Sequence, residues 1–115
     1  MRAAVSEAAL VGIDVGTTGV KALAVSPEGK VVASAEEGYP LSTPKPGWAE
    51  QGPEHWRLAA ERALGRLGFE PIALGFSGQM HGLVCLDEKD RVLRPAILWN
   101  DQRTGAECAE IEERV

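Results

Sequence analysis

An acid and two hydroxyls stand in a glycine-rich stretch near the start of the chain, Gly12-Ile13-Asp14-Val15-Gly16-Thr17-Thr18-Gly19. Glycines let backbone amides approach a phosphate closely, and the hydroxyls of Thr17 and Thr18 add donors for phosphate oxygens. Asp14 suits a hydrated Mg²⁺, because that ion keeps several waters and needs few carboxylates. Lys21, two residues beyond the stretch, supplies a cation. The stretch predicts a phosphate-binding turn; the alternative is a β-hairpin whose glycines only turn the chain.

A second polar cluster, Ser77-Gly78-Gln79-Met80-His81-Gly82, follows an apolar segment. Loops at the C-terminal ends of sheet strands are where open α/β folds place ligands. Gln79 and His81 offer hydrogen bonds to hydroxyl groups, and Met80 offers a pliable apolar wall. In the alternative, the His81 side chain is solvated or hydrogen-bonded to the backbone and binds no ligand. Neither His81 nor His55 has Cys, His or carboxylate partners at ligand spacing, so no zinc-type centre is predicted.

A third polar stretch, Trp99-Asn100-Asp101-Gln102-Arg103-Thr104, separates a predicted strand from a predicted helix. Trp99 can stack on the apolar face of a sugar, while Asn100, Asp101 and Arg103 can bond its hydroxyls. In the alternative, Trp99 belongs to the core, and Asp101 and Thr104 cap the helix, since helix starts select the same residue types.

Three strands joined by short turns must position the first cluster, and such an arrangement makes an antiparallel meander. The predicted strands cover residues 9–15, 20–25 and 30–36, and the turns cover 16–19 and 26–29.

One helix is predicted from Pro53 to Leu67. Proline suits its first position, Gly68 lies just past its end, and apolar residues recur at three-and-four spacing. Residues 72–76 predict a short buried strand. The order strand, helix, strand permits a crossover onto the same sheet.

The proline-containing segment 38–52 predicts an extended surface loop, because proline removes backbone donors and fixes φ. Short strands are predicted over 83–86, 91–93 and 96–99, with a polar turn at 87–90.

The last predicted element is a helix that begins at Thr104-Gly105-Ala106-Glu107, which has the spacing of a capping box. Cys108, Ile111 and Val115 then form an apolar stripe with no stop signal after it. Either this stripe docks on the sheet, or its partner lies in a longer chain; the pattern favours the longer chain.

Composition excludes several classes. The length of 115 residues predicts one globular domain. The chain carries 12 Lys and Arg against 17 Asp and Glu, and this net charge of −5 argues against a nucleic-acid partner. No apolar run approaches the ~20 residues that span a bilayer, so no membrane partner is expected. Residues 1–7 lack the features of a signal peptide. Cys85 and Cys108 then predict reduced thiols in a cytoplasmic protein.

Together, the three clusters resemble the FGGY-type carbohydrate kinases, the family that phosphorylates glycerol, gluconate, ribulose and xylulose. Gly-x-Asp-x-Gly-Thr-Thr between two strands looks like the family's first phosphate-facing hairpin, which actin-like ATPases share. The stretches 76–84 and 94–104 look like the xylulose-phosphorylating members. The resemblance runs from about Leu10 to the last residue.

The resemblance implies an α/β fold: an RNase H-like, actin-like ATPase domain whose mixed sheet begins with an antiparallel three-strand meander plus a crossover helix. It implies ATP and Mg²⁺ as cofactors, and D-xylulose phosphorylated at its 5-hydroxyl. The residues implied to face the nucleotide are Asp14, Gly16, Thr17, Thr18 and Lys21. The residues implied to contact the sugar are Gln79, Met80, His81, Trp99 and Asp101.

Members of this family are several times longer than 115 residues. The resemblance therefore implies that residues 1–115 form the N-terminal portion of the first kinase domain. A second domain, the adenosine pocket and the general base would lie beyond Val115, so the fragment alone is expected to be inactive. Asp14 would be the metal-side acid, not the base, and closure of two domains would complete the site. Self-association into a homo-oligomer is left open. The alternatives are a stand-alone ligand- or subunit-binding module of this fold, or a kinase for another pentulose or polyol.

Overall fold

The computed structural model describes residues 8–115, so the stretch 1–7, for which no signal peptide was predicted, lies outside the described residues. Its elements follow in chain order: β1 Ala8–Val15, β2 Gly19–Val25, β3 Val31–Gly38, β4 Glu50–Gln51, α1 Pro53–Leu67, β5 Glu70–Gly78, β6 Ala96–Ile97 and α2 Gly105–Arg114. They divide into two compact units, one with residues up to 39 and 54–79, the other with residues 40–53 and 80–115.

The first unit contains a four-stranded sheet of order β3-β2-β1-β5. β1 pairs with β2, and β2 with β3, in antiparallel register, which confirms the predicted meander. β5 returns beside β1 in parallel register after α1, which confirms the predicted crossover. A parallel pair needs such a helical connection, because a tight turn can only reverse the chain.

The α1 helix has the predicted bounds and covers one face of this sheet. Gly68 follows it with φ of 74°, the left-handed conformation that glycine supplies at a helix end. Side chains from α1 and from alternate positions of the meander form one buried core of mostly small residues. These are Ala9, Val11, Ile13, Val20, Ala22, Ala24, Ala35, Ala59, Ala63 and Leu67.

The β5 strand corrects the prediction of a short buried strand over 72–76. It is longer than predicted, and its apolar side chains are exposed, with Ile72 at 64% and Phe76 at 68%. The reason is its place in the sheet: β5 is an outer strand, paired only with β1 among the described residues. Apolar residues predict a strand that could be buried. Whether the strand is buried depends on which other elements pack against it.

The second unit is held by a small antiparallel pair, β4 with β6, in which Glu50 faces Ile97. β4 makes the end of the predicted surface loop 38–52 a buried strand. The predicted strands at 83–86 and 91–93 are reduced to single bridges, and the one at 96–99 to two residues. The polar turn at 87–90 is confirmed, since the Asp90 amide donates to the Asp87 carbonyl at 3.0 Å.

The α2 helix lies where it was predicted, but its predicted capping box is wrong. Thr104 makes no side-chain cap hydrogen bond; its hydroxyl lies 3.9 Å from the Cys108 sulfur instead. Hydroxyl-to-carboxylate spacing does not fix the backbone angles that a cap requires. None of the residues of α2 is buried, and Ile111 of its apolar stripe is exposed. Within residues 8–115, neither helix is long and apolar enough to cross a membrane.

Candidate functional site

The predicted phosphate-binding turn is a tight connection between β1 and β2. The Gly16 amide donates to the Gly19 carbonyl at 3.0 Å, which closes the turn. β3 passes against it, so a Cβ on Gly19 would lie 2.5 Å from the Glu37 carbonyl oxygen. Glycine is required at position 19 because no side chain fits under β3. The structure thus brings together, at one end of the sheet, the residues predicted to face the nucleotide: Asp14, Gly16, Thr17, Thr18 and Lys21.

Two side chains from neighbouring strands hold this turn. The hydroxyl of Tyr39, just after β3, donates to the Gly16 carbonyl, and the Tyr39 amide donates to the Thr18 carbonyl at 3.3 Å. Gln79, just after β5, donates from Nε2 to the same Gly16 carbonyl at 3.4 Å. Its backbone amide donates to the Val15 carbonyl at 2.8 Å. The structure therefore places Gln79, predicted to contact the sugar, against the turn predicted to bind phosphate.

Tyr39 was not singled out from the sequence as a site residue. Only the position of Tyr39 in the chain could have indicated its role. Tyr39 follows β3, and the pairing of β3 with β2 brings the end of β3 beside the turn. Burial and, second, the negative charge of Asp14 raise the pKa of Tyr39 above its usual value of 10.0. The phenol therefore stays protonated and remains a donor at neutral pH.

Asp14 lies between two polar neighbours in the sheet register, Lys21 on β2 and Ser77 on β5. The Ser77 hydroxyl donates to Asp14 Oδ1 at 2.8 Å, a role that sequence reasoning missed although Ser77 opens the second cluster. The Lys21 ammonium lies 3.7 Å from Glu36 Oε1 in an exposed ion pair. Exposed pairs of this kind are weak, so Lys21 can turn to an anion at little cost.

A cleft of about 290 Å³ opens beside this turn and is lined by Asp14, the turn, Lys21 and residues 36–38. Because Glu36 and Glu37 lie on its rim, the backbone amides and hydroxyls must supply most of the attraction for an anion. Among residues 8–115 no group of three or more His, Cys, Asp or Glu side chains is arranged to hold a metal ion. The single carboxylate of Asp14 fits only an ion that keeps most of its waters, as Mg²⁺ does.

The predicted sugar residues Met80 and His81 are exposed and lie in the second unit. His81 has φ of 66°, a left-handed conformation that is uncommon outside glycine. The next residue, Gly82, lies against β6, where an added Cβ would be 3.0 Å from the Ile97 carbonyl oxygen. Leu83 then exchanges two backbone hydrogen bonds with Ile97, at 2.8 and 3.1 Å. The histidine backbone is thus held by the pairing that follows it.

Trp99, in the same unit, follows β6 and is 55% exposed, as stacking on a ligand requires and unlike the predicted core alternative. Asp101 differs: its side chain is only 2% exposed. Its Oδ2 accepts from the Ala49 amide at 2.8 Å and from Arg103 Nη2 at 2.7 Å, and its Oδ1 accepts from Arg103 N and Nε, both at 2.9 Å. These bonds engage both carboxylate oxygens within the unit and fix the loop to the end of β4.

Arg103 joins this loop to the rest of the second unit. It donates to Glu50 at 2.8 Å, and its guanidinium lies 3.7 Å from the centre of the Trp48 ring. Arg94 also donates to Glu50, at 2.7 Å. The Arg103 hydrogen bonds hold the pKa of Asp101 well below its usual range. The sequence places Arg103 two residues after Asp101. It does not reveal that Arg103 and Arg94 both donate to the buried Glu50.

Comparisons with known proteins match both units. The model of the FGGY family of carbohydrate kinases, N-terminal domain, matches residues 9–115. The xylulose kinase of Escherichia coli (strain K12) is 49% identical over 110 residues, which cover 91% of this chain and 23% of that protein. The gluconokinase of Bacillus subtilis (strain 168) is 36% identical over 115 residues, which cover 92% of this chain and 22% of that protein.

A solved structure gives the same result. The xylulose kinase from Rhodospirillum rubrum matches with a TM-score of 0.88 and 36% sequence identity, over 92% of this chain and 23% of that one. The chain thus spans about a quarter of the length of the relatives it matches, and the actin-like ATPase fold is confirmed. On the match over residues 9–115, the chain belongs to the FGGY family of carbohydrate kinases.

Proposed function

We propose that this chain is the N-terminal part of a kinase that transfers a phosphoryl group from ATP to the 5-hydroxyl of D-xylulose. The observation that carries the proposal is the 49% identity to the xylulose kinase of E. coli. The matched region includes both the phosphate-binding turn and the Met80–His81 loop. The protein that acts would have the length of those relatives and a cytoplasmic location, in keeping with the unpaired Cys85 and Cys108.

In this proposal the first unit binds the phosphates. The turn offers backbone amides and the Thr18 hydroxyl, and Lys21 offers a positive charge from β2. The Thr17 hydroxyl, which donates to Gln79 Oε1 at 3.4 Å, would exchange this long bond for a phosphate oxygen. Asp14, held by the Ser77 hydroxyl, would bind the hydrated Mg²⁺. When bound, Mg²⁺ offsets negative charge on the phosphates, so that positioning and electrostatics dominate the transfer.

The second unit binds the sugar in this proposal. Met80 and Trp99 offer apolar surfaces, and His81 offers hydrogen bonds to hydroxyl groups. Asp101 contributes by fixing the loop that carries Trp99. The proton acceptor for the sugar hydroxyl and the adenosine pocket would belong to the part of the relatives that this chain does not cover.

A second candidate substrate is gluconate, which the 36% identity to the B. subtilis gluconokinase favours. Xylulose and gluconate differ at the end where gluconate carries a carboxylate. Residues 79–82, which carry His81 in the proposed sugar loop, include no lysine or arginine that could pair with a carboxylate. This favours a neutral sugar.

The test is a coupled assay of ADP release by the full-length protein that contains this chain. Xylulose, ribulose, gluconate and glycerol would be compared at equal concentration. We expect xylulose to have the highest kcat/KM. A higher kcat/KM for gluconate would shift the assignment to the second candidate, and no sugar-dependent release with any of the four would refute the kinase proposal.

Asp14→Asn gives the matched variant, because the amide keeps the size of the side chain and removes its charge. We expect kcat to fall by roughly 10²-fold or more, in line with the loss of a charged group that acts on the transferring phosphoryl. Unchanged kcat would remove Asp14 from the site.

A further inference from the structure

We infer that Tyr39 is a positioning residue of the proposed nucleotide site: its hydroxyl holds the Gly16 carbonyl and thereby fixes the Gly16–Thr17 peptide of the turn proposed to bind the phosphates. This inference rests on the proposed function. It concerns a residue outside the glycine-rich turn, which reaches that turn from the end of β3.

The geometry of the peptide bond carries the argument. A trans peptide is planar, so its C=O and the following N–H point in opposite directions. The Gly16 carbonyl accepts hydrogen bonds from the Tyr39 hydroxyl and, at 3.4 Å, from Gln79 Nε2. The Thr17 N–H of the same peptide therefore points away from Tyr39. Fixing the carbonyl fixes the direction of the amide.

The two donors differ in how they are held. Gln79 Nε2 lies at the long limit of a hydrogen bond to the Gly16 carbonyl, at 3.4 Å. Tyr39 is anchored at its own backbone, since its amide donates to the Thr18 carbonyl at 3.3 Å, and its ring packs against the core of the first unit. The phenol is therefore a fixed donor, and it should contribute more than Gln79 to holding the peptide.

Tyr39→Phe tests the inference, because it removes the hydroxyl and keeps the ring in the core. In the full-length protein we expect KM for ATP to rise roughly three- to tenfold, the effect of one lost hydrogen bond, with KM for xylulose unchanged. Ser26→Ala is the control: Ser26 accepts from the Lys30 amide at 3.2 Å in the other turn of the meander, and its loss should change neither KM.

Hydrogen–deuterium exchange provides a readout that needs no activity. Peptides covering residues 14–19 should exchange faster in Tyr39→Phe than in the wild type, while those covering 26–30 should not. If the wild type shows no sugar-dependent turnover, the proposed function fails, and exchange alone decides the role of Tyr39.

Unchanged exchange at 14–19, an unchanged KM for ATP, or equal increases in both KM values would each overturn the inference. Should Tyr39→Phe fail to fold, Tyr39→Leu takes its place, because leucine also fills the core and offers no donor to the Gly16 carbonyl. The same rise in KM for ATP and faster exchange at 14–19 would support the inference, and no change in either would overturn it.

Discussion

At Gly19, the turn between β1 and β2 lies directly against β3. An added Cβ would lie 2.5 Å from the Glu37 carbonyl oxygen, and a backbone atom cannot rotate aside as a side chain can. The close approach keeps residues 36–38 on the rim of the cleft.

Gly19→Ala should therefore destabilise the protein by about 1–3 kcal/mol, the usual cost of overpacking. Gly12→Ala is the matched control on the preceding strand, since nothing lies within 4 Å of its Cβ position. That variant should be neutral or gain about 0.5 kcal/mol, because alanine costs less entropy than glycine in a strand. Urea unfolding measures both, and equal stability of the two variants would contradict the close approach.

His81 combines a side chain suited to sugar hydroxyls with a backbone conformation that suits glycine. A non-glycine residue in the left-handed region costs about 1–2 kcal/mol, which is partly offset because glycine is more flexible when unfolded. His81→Gly should thus be more stable than His81→Ala by about 0.5–1 kcal/mol. If His81 contacts the sugar as proposed, both variants of the full-length protein should raise KM for xylulose, because both lose the imidazole. An alanine variant as stable as the glycine variant would mean that the loop relaxes without strain.

At the scale of elements, β4 and the loop after β6 are joined by charged side chains inside the second unit. Glu50 accepts from Arg94 and Arg103, and Arg103 also bonds Asp101. Removing the charge of one of these side chains leaves its partners unpaired. The resulting loss of stability exceeds what the ion pair itself contributes. The loop bearing Trp99 therefore depends on ionised carboxylates.

This dependence predicts an effect of pH. The pKa of Asp101 is lower in the folded than in the unfolded chain, so the unfolded chain binds more protons at acid pH. The stability that Asp101 contributes is then fully present above the unfolded pKa of about 3.9 and is lost as the pH falls below it. Asp101→Asn should be less stable at pH 7 and show a flatter decline below pH ~4.

Arg103→Gln removes the main cause of the low pKa and should flatten the same part of the curve. Urea unfolding at a series of pH values measures these slopes. A decline in Asp101→Asn as steep as in the wild type would show that other carboxylates control acid unfolding.

Elements with local signals were predicted well. Pro53 and Gly68 mark the ends of α1, and alternating residues with short turns define the meander. Prediction failed where contacts between distant parts of the chain decide whether a segment is buried. The apolar strand β5 is exposed, whereas Glu50 and Gln51 are buried although their segment is rich in turn residues. Thr104 failed for a further reason, because a cap needs backbone angles that spacing does not reveal.

The candidate site divides in the same way. Asp14 and the residues of the glycine-rich turn could be named from their types and spacing, and they lie together. The contacts of Tyr39, Ser77 and Glu50 could not, because each depends on which strand lies beside which. Asp101 could be named, but its partners, and hence its role as an internal anchor, required the structure.

At the scale of the whole molecule, the outer strand β5 presents an apolar surface and an unpaired edge among the described residues. Exposed edges of this kind favour association with other chains. The same feature that corrects the sequence prediction thus bears on behaviour in solution.

Ile72→Lys should reduce self-association of the isolated 115-residue chain, because a charge on an edge strand opposes pairing. Leu93→Lys is the control, since Leu93 has the same exposure of 64% but lies outside any strand. Sedimentation velocity over a range of concentrations compares them. An equal effect of the two changes would point to general hydrophobicity and not to the edge.

The core under α1 consists largely of methyl groups, and Ala22, Ala24 and Ala63 are wholly inaccessible to water. Because these alanines are fully buried between α1 and the sheet, a bulkier side chain there would have to displace the helix or a strand. Arg66, near the end of this helix, donates to the Glu36 carbonyl at 3.0 Å and pairs with Glu37. Displacing the helix would pull on β3, whose end lines the cleft beside the β1–β2 turn. Substitutions at these buried alanines should therefore affect the cleft that we propose binds the nucleotide, although none of the alanines lines it.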